Sequence, residues 1–349
     1  MRPTRVLVLY NEPTLPPDHR DADSEHEILD TAAQVEAVLK AAGYAVARLG
    51  VAGRDPAALV AGVRKARPDV VFNLFEGLPD WGDTEAFAVG ALEWLGLPYT
   101  GCPLQPICLA RHKPLTKHLL RGARLPTPDF FTVDRLPVGD CPLAWPVIAK
   151  PSNQDASVGL DQGSVVESQE ALERRVAYLL EEYGPPVLVE EFVPGREFNV
   201  GLVEAPDLRV LPLSEIKFVN DDPAYWPIVT YDAKWKPGTP DYEATPPAYN
   251  PDDVPPRLKA RLERLAKQAF RALGCRDYAR VDFRVKAPAK PYILEVNPNP
   301  SYSPGAGLSG ALAAAGLPWA EFTVQLVQRA VARGRRSALR ANGEAATVG

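Results

Sequence analysis

The first hundred residues alternate between short apolar runs and longer segments with helical spacing. Val6 to Tyr10 is an apolar run, and the segment 27–42 places apolar residues three and four positions apart until Gly43, which is typical of an amphipathic helix. The alternation continues with strands at 45–51 and 69–72 and with helices at 56–66 and 84–95. Strands alternating with helices predict a parallel sheet, so residues 1–102 are expected to form a doubly wound α/β domain.

The rest of the chain has a different pattern. Residues 103–188 are expected to form a compact α+β lid, with helices at 114–120 and 169–183, strands at 146–150 and 187–191, and a polar, glycine-containing stretch at 151–159. A C-terminal domain is expected over 189–335, with strands at 197–203, 209–216, 278–285 and 292–297 and helices at 257–273 and 319–333. Residues 226–255 lack periodicity and are expected to form a functional loop. The small, polar segment 336–349 is expected to be a disordered tail.

Composition narrows the class of protein. Charged residues make up 24% and apolar residues 46% of the chain, as in soluble globular proteins. A net charge of -5 argues against nucleic acid as the main partner. The four cysteines form no CxxC pair and are expected to be free thiols. The apolar run at the start is too short for a signal peptide, and no stretch reaches the roughly 20 apolar residues of a membrane span, so we expect a cytoplasmic protein without a membrane partner.

Two strands near the C-terminus carry the strongest chemical signal. Strand alternation places Arg280, Asp282 and Arg284 on one face of the first strand, and Glu295 and Asn297 on one face of the second. If the strands pair, three oxygen ligands and a guanidinium meet on one surface. Mg2+ prefers oxygen ligands of this kind together with substrate phosphates, and an arginine fork suits a phosphate or an oxyanion. The sequence therefore predicts a Mg2+ site at Asp282, Glu295 and Asn297, which Mn2+ could also occupy.

These motifs resemble those of the D-alanine–D-alanine ligase family, which has the ATP-grasp fold. Arg-Val-Asp-Phe at 280–283 and Leu-Glu-Val-Asn-Pro-Asn-Pro at 294–300 are similar to the end of that family's catalytic domain. Further similar segments occur in the same order over nearly the whole chain, at 96–101, 113–117, 125–128, 149–159 and 187–200. The resemblance implies an N-terminal α/β domain, a central lid and a C-terminal mixed-sheet domain that together bind ATP.

The resemblance also implies roles for individual residues in the nucleotide site. Lys117 and Lys150 would contact the α- and β-phosphates, and a loop containing Ser157 would wrap the phosphates with backbone N–H groups. The backbone from Glu190 through Glu191 to Val193 would bond the adenine edge. Glu197 would bond the ribose hydroxyls.

The implied reaction has two steps. A substrate carboxylate attacks the γ-phosphate of ATP to give an acyl phosphate, and an amine then attacks that acyl phosphate, forming an amide and releasing phosphate. Arg280 would stabilise the tetrahedral oxyanion, while the loop carrying Lys234 and Trp235 would close over the site and exclude water. The partners are therefore small carboxylates and amines, and the family's habit suggests a homodimer.

The substrate positions depart from the family pattern. Glu25, with Glu27 as its rival, corresponds to the glutamate that binds the first amino acid. The serine and tyrosine that normally link to that glutamate are replaced by Ala156 and Trp235. Glu76 stands where a histidine is usual.

The site for the second substrate departs as well. The pair that binds its carboxylate aligns with Ala306 and Gly307, and the alanine has no hydroxyl to donate. Backbone amides in 303–309 could still bind a carboxylate. Because a site built around polar groups is selective for them, we expect an enzyme that does not make D-alanyl-D-alanine efficiently.

Two other functions remain open from the sequence. Other ATP-grasp chemistry, namely carboxylate–thiol ligation or phosphorylation without ligation, would use the same nucleotide site. A non-catalytic, nucleotide-binding regulatory protein would explain the altered substrate positions, but not the retention of Arg280, Asp282 and Glu295.

Overall fold

The computed structural model describes residues 2–14, 22–78, 81–154 and 157–347, with the side chains of 22–25 and 337–347 left out. The first domain is a parallel sheet in the order β2-β1-β3. Its elements are β1 (Arg5–Asn11), α1 (Ala22–Ala41), β2 (Ala45–Val51), α2 (Pro56–Ala66), β3 (Val70–Asn73) and α3 (Thr84–Trp94). The strands and helices that the apolar periodicity predicts over 1–102 are therefore present. Asp55 caps α2 by accepting a hydrogen bond from the N–H of Ala57.

Two short helices, α4 (Leu104–Arg111) and α5 (Lys113–Gly122), lead into the lid. The lid is an antiparallel sheet in the order β4-β7-β5-β6, packed on α6. Its elements are β4 (Phe130–Val133), β5 (Val147–Pro151), a single 3-10 turn at Gln162–Ser164, β6 (Val165–Val166), α6 (Gln169–Tyr183) and β7 (Val187–Glu191). The short α4 and β4 are absent from the sequence prediction, and β7 crosses the predicted boundary at 188.

The third sheet runs in the order β11-β10-β8-β12-β13, with β9 paired to β8. Its elements are β8 (Arg196–Glu204), β9 (Leu208–Val210), β10 (Ser214–Ile216), α7 (Tyr231–Trp235), α8 (Pro240–Glu243), β11 (Pro247–Tyr249), α9 (Pro256–Leu273), β12 (Tyr278–Lys286), β13 (Lys290–Asn297), α10 (Gly307–Ala314) and α11 (Trp319–Thr347). Each strand pair given for this sheet is antiparallel, whereas a mixed sheet was expected. The predicted strand 209–216 is wrong as a single strand, because it divides into β9 and β10.

Helix α9 covers one face of this third sheet. Its buried residues recur three and four positions apart, and the helix ends at Gly274, whose φ of 79° lies in the left-handed region that glycine favours. The buried residues are Leu258, Leu262, Leu265, Ala266, Ala269, Phe270 and Leu273. They pack on the inward residues of β8 and β12, which leaves the opposite face of the sheet for polar side chains.

The C-terminal helix α11 belongs to the core of the first domain as well as to the third. Its buried Phe322 and Leu326 share a cluster with Val6 and Phe72 of the first sheet. The predicted disordered tail is wrong up to Thr347, because α11 continues that far. Its alanine- and arginine-rich sequence has a high helix propensity. Within the described chain, no helix combines the length and apolar character needed to span a membrane.

Candidate active site

Strands β12 and β13 bring the four predicted residues together. The pairing is antiparallel, with Asp282 opposite Glu295 and Arg280 opposite Asn297. A register shift follows Asp282, so the strands form a bulge beside the two carboxylates. The pairing on which the sequence prediction depended is therefore present.

Asp282 is buried among polar partners. Arg280 donates to its carboxylate from Nε at 2.8 Å and from Nη2 at 2.7 Å, and Asn199 of the neighbouring strand donates to Oδ1 at 2.8 Å. Burial raises the pKa of Asp282, and the nearby Glu295 carboxylate adds to that rise, while Arg280 opposes it. Two carboxylates in contact repel each other, so a cation beside them is favoured.

Glu295 lies in a strongly positive field. Burial would raise its pKa, but the charges of Lys113, Arg280 and Lys150 outweigh burial and lower the pKa to about 2. Lys234 contributes in the same direction. This concentration of cations around one carboxylate also suits the phosphates of a nucleotide.

The donor set fits Mg2+. Asp282 and Glu295 supply carboxylate oxygens on opposed positions, and Asn297 adds an amide oxygen two residue pairs further along, on the same face. The Asn297 oxygen also accepts a hydrogen bond from the N–H of Asn299 at 3.0 Å, which orients it. No cluster of three or more His, Cys, Asp or Glu side chains with metal-holding geometry occurs in the part of the chain that the structure describes. A site here would therefore complete its shell with substrate oxygens or water.

A cleft with an empty volume of about 840 Å3, counting its open mouth, lies over these carboxylates. Ile148, Phe192 and Ile228 line it beside Val193 and Leu294, giving it an apolar part. Its polar part is lined by Lys113, Lys150, Gln154, Ser157, Glu190, Glu191, Glu197, Asp282, Arg284 and Glu295. An apolar slot that opens onto cations and two carboxylates has the chemistry of a nucleotide site.

The two predicted lysines have different positions. Lys150 lines the cleft and forms an ion pair with Glu190. Lys117 is only 1% exposed, pairs with the other oxygen of Glu190 at 2.5 Å and donates to Thr127 at 2.9 Å. The assignment of Lys117 to a phosphate is therefore wrong in this structure, because Glu190 separates it from the cleft. Lys113, one helical turn earlier, lines the cleft instead and donates to the carbonyl of Gln154.

Glu190 is a buried link between the two lysines rather than a free group. Burial would raise its pKa, but Lys117 and Lys150 outweigh burial and lower the pKa to about 2. The next two N–H groups along the chain are already used, since Glu191 donates to the carbonyl of Asp129 and Phe192 to that of Pro146. Val193 is the next residue along the chain after these two N–H groups, and it lines the cleft.

Glu197 lines the cleft. It pairs with Nε of Arg284 at 2.9 Å, and burial raises its pKa in spite of that arginine. Ser157 has a φ of 63°, in the left-handed region that few non-glycine residues adopt, and its turn opens onto the cleft. Residues 155 and 156, including Ala156, lie outside the described residues.

The loop that was expected to close over the site is partly helical. Helix α7 carries Lys234 on its exposed face, with the ammonium 5.2 Å from the ring of Trp235. Thr230 caps the helix by accepting from the N–H of Ala233 at 3.1 Å. The structure thus places Lys234 close enough for its charge to affect Glu295.

The other predicted substrate residues lie in three separate parts of the chain. Glu76 is exposed after β3, and its N–H donates to Asn11 Oδ1 at 2.9 Å. Ala306 precedes α10 without a side-chain cap, and Gly307 begins that helix. Glu25 lies on α1, but its side chain is outside the described part of the chain; its rival, Glu27, is exposed on the same helix.

Several groups at the site were missed by the sequence reasoning. Lys113 lies in the motif 113–117 noted above. Because it is four residues from Lys117, helical spacing could have suggested it as an equal candidate for a phosphate contact. Asn199 lies opposite Asp282 on the neighbouring strand, which the alternation could also have shown. Arg284, which the alternation does place on the same face as Asp282, lies opposite Glu197. The buried Glu85, which accepts from Asn299 at 2.9 Å, had no sequence signal.

Comparisons with known proteins agree with this geometry. A family model described as D-ala D-ala ligase C-terminus matches residues 127–328. The D-alanine–D-alanine ligase of Desulforudis audaxviator is 34% identical over 319 residues, which cover 89% of this chain and 96% of that protein. The D-alanine–D-alanine ligase of Rhodospirillum rubrum is 32% identical, covering 86% and 92%. The uncharacterised protein y4sG of Sinorhizobium fredii is 33% identical, covering 71% and 68%.

The fold comparison gives the same result. The crystal structure of the D-alanine–D-alanine ligase from Bacillus anthracis complexed with ATP superposes with a TM-score of 0.72 at 19% identity, over 96% of this chain and 99% of that one. The predicted ATP-grasp fold is therefore confirmed. With the family model and relatives above 30% identity, the chain belongs to the D-alanine–D-alanine ligase family of ATP-dependent carboxylate–amine ligases.

Proposed function

We propose that this enzyme activates one small carboxylate with ATP as an acyl phosphate and joins it to an amine, giving an amide other than D-alanyl-D-alanine. The observation that carries the proposal is the Asp282–Glu295 pair at the floor of a cleft, surrounded by Lys113, Lys150 and Arg280. The carboxylate oxygen takes the γ-phosphoryl group and ADP leaves. The amine then displaces phosphate and loses a proton.

ATP would lie with its base between Ile148, Phe192 and Ile228. Val193 would bond the adenine edge, and Glu197 the ribose hydroxyls. Lys113 and Lys150 would contact the phosphates, with the turn at Ser157 above them. This arrangement is supported by the apolar and charged halves of the cleft.

Asp282, Glu295 and Asn297 would hold Mg2+, for which Mn2+ could substitute. When bound, such an ion neutralises charge on the phosphate oxygens. The opposed positions of the two carboxylates support this, because Mg2+ prefers carboxylate oxygens together with substrate phosphates. Arg280, fixed by two bonds to Asp282, would face the oxyanion formed when the amine attacks.

The proposed substrate differs from that of the D-alanine–D-alanine ligases. The relatives from Desulforudis audaxviator and Rhodospirillum rubrum named above are D-alanine–D-alanine ligases. Here Ala306 has no hydroxyl to donate to a second substrate's carboxylate. Glu25, Glu76, Trp235 and Gly307 would form the rest of the pocket, with Lys234 above it. A bulky Trp235 and an acidic Glu76 favour a first substrate that differs from D-alanine in size or charge.

Two further expectations belong to this proposal. A cytoplasmic location is supported by the four cysteines, all of which are free thiols. A homodimer is supported by exposed aromatic residues on one face of α3, since Phe87 and Trp94 are 55% and 93% exposed. Light scattering of the purified protein measures the second directly.

The test is a screen of ADP release over pairs of L- and D-amino acids. Turnover that needs both substrates, and that disappears in Asp282→Asn and Glu295→Gln while Glu93→Gln retains it, supports ligation. Rapid turnover with D-alanine alone contradicts the altered substrate. Hydroxylamine trapping without any accepted amine favours a thiol acceptor or a kinase, and nucleotide binding without turnover favours a regulatory protein.

A further inference from the structure

The lid and the loop over the active site are joined by a glutamine. Gln162 of the lid donates from Nε2 to the carbonyl of Trp226 at 3.1 Å, and the N–H of Trp226 donates back to Gln162 Oε1 at 2.7 Å. The side-chain amide thus satisfies both backbone groups of one residue, as a neighbouring strand would. Nearby, the N–H of Tyr231 donates to the carbonyl of Leu160 at 2.9 Å. Three hydrogen bonds therefore connect segments 160–162 and 226–231, which we call the clasp.

The clasp lies directly against the nucleotide cleft. The ring of Trp226 packs edge-on against Phe192, with centroids 5.3 Å apart. Ile228, 4% exposed, packs with Phe192 and with Val165 of the lid. Because Phe192 and Ile228 also line the cleft, the clasp holds the roof of the apolar slot against its hinge.

The same loop continues to the part of the site that contains the Asp282–Glu295 carboxylate pair. Thr230 caps α7 and donates a hydrogen bond to Asp241, so α7 is attached to the following segment as well as to the clasp. Lys234 on α7 contributes to the positive field around Glu295. A short, bonded segment therefore connects the lid to a cation beside the carboxylate pair.

We propose that Gln162 is a positioning residue that makes the lid and the loop 225–235 move as one unit. Closure of the lid on ATP then places Ile228 over the base and Lys234 over the phosphate end in the same step. This inference rests on the proposed function, since it assigns Gln162 to the same ATP site. Gln162 itself contacts neither nucleotide nor substrate, yet it determines when the lid and the loop together complete the site.

The experiment compares Gln162→Ala with Gln169→Ala. Gln169 is a matched control in the same domain, because its side chain also bonds both an N–H and a carbonyl, those of Cys141 and Gly139, at 3.1 and 2.6 Å. Hydrogen exchange of peptides spanning 225–235 is measured on the full chain, first alone and then with adenylyl imidodiphosphate and Mg2+. We expect faster exchange at Trp226 and Tyr231 in Gln162→Ala only, and loss of the additional protection that the nucleotide gives the wild type.

Affinity for the same nucleotide analogue provides a second measurement. It should fall about 5- to 100-fold in Gln162→Ala, the range for losing two hydrogen bonds, and stay at the wild-type value in Gln169→Ala. Gln162→Glu, which still accepts from Trp226 but cannot donate, should be intermediate. In turnover, Gln162→Ala should raise KM for ATP and release more than one ADP per amide formed, because water reaches the acyl phosphate.

The clasp and the proposed reaction can fail separately. Exchange at Tyr231 that is equal in the two glutamine variants overturns the clasp, whatever the enzyme's activity. Absence of acceptor-dependent ADP release contradicts the proposed function, while the exchange difference in the protein without nucleotide would still support the mechanical link.

Discussion

At the scale of single residues, Glu190 is the most constrained carboxylate near the cleft, since it is buried between Lys117 and Lys150. Changing it to glutamine keeps the shape but leaves two ammonium groups without their counter-charge. We therefore expect Glu190→Gln to lower the free energy of unfolding in urea by about 3–5 kcal/mol. The neighbouring Glu191→Gln, whose partner Lys286 is 3.4 Å away and partly exposed, should change it by less than about 1 kcal/mol.

The pH dependence of stability tests the same group. The pKa of Glu190 is about 2 in the folded protein and 4.5 without the fold, so the carboxylate stabilises the folded state fully above pH 4.5 and less as pH falls towards 2. The wild type should lose up to about 3 kcal/mol over this interval from Glu190, a loss that Glu190→Gln should lack. Glu295, also with a pKa of about 2, titrates in the same interval in both proteins and cancels in the comparison. Equal acid sensitivity of the two proteins would contradict the ion-pair assignment.

Sequence reasoning at this scale identified residue types better than positions. The strand alternation was enough to place Asp282, Glu295 and Asn297 on one face, because a period of two leaves only two faces. Lys113 and Lys117 are four apart on α5, so helical spacing puts both on the same side and cannot decide which faces the cleft. In the structure, Glu190 of β7 pairs with Lys117 in the core, so Lys113 is the lysine that faces the cleft.

At the scale of elements, the connection between β7 and β8 determines how the hinge meets the sheet. Gly195 has a φ of 127°, and a Cβ at this position would lie 2.1 Å from the carbonyl oxygen of Val285. We expect Gly195→Ala to cost at least about 2 kcal/mol of stability and to raise KM for ATP, since it displaces the turn between Val193 and Glu197. Gly139→Ala, with a φ of 71° and nothing within 4 Å of the added Cβ, should cost only about 1 kcal/mol. Similar losses in the two variants would show that backbone strain, not the contact with Val285, is the cause.

The elements that the sequence did not predict are those held by distant partners. Helices α7 and α8 lie in the stretch 226–255, which has no hydrophobic period. Each is capped by a threonine, at 230 and 239. The N–H of Tyr231 in α7 donates to the distant Leu160, and Thr230 connects the two helices by donating to Asp241. Long elements such as α9 carry their own signal, because one face is buried over its whole length. Short, capped turns gain stability from contacts that only the folded chain provides.

The whole molecule is held together by contacts that no single segment predicts. The apolar periods over 1–102 predicted the first parallel sheet, but part of its core comes from α10 and α11, more than 200 residues later. The ATP-grasp arrangement followed from the order of motifs, by resemblance. The domains are joined by pairs of charged residues. These residues are too far apart in sequence to be recognised as partners from the sequence.

Asp277 is the central residue of that junction. It is fully buried, bonds both Nη atoms of Arg333 at 2.6 and 2.8 Å, and accepts from the N–H of Gly101 at 2.9 Å. It thereby joins the end of the first domain, the start of β12 and helix α11. Its φ of 63° lies in a region that asparagine tolerates well, so Asp277→Asn removes the charge without forcing the backbone to move.

We expect Asp277→Asn to lower the free energy of unfolding by about 3–5 kcal/mol, because Arg333 is left without its buried counter-ion. Since the lost contacts lie between domains, the first domain should also unfold separately, giving two transitions in urea by circular dichroism and by tryptophan fluorescence. Asp129→Asn, which removes a carboxylate that is 74% exposed and paired with Arg121, should keep one transition and change the free energy by less than about 1 kcal/mol. A single, equally cooperative transition in Asp277→Asn would mean that apolar packing of α11 on the first sheet, rather than this buried ion pair, makes the domains fold as one.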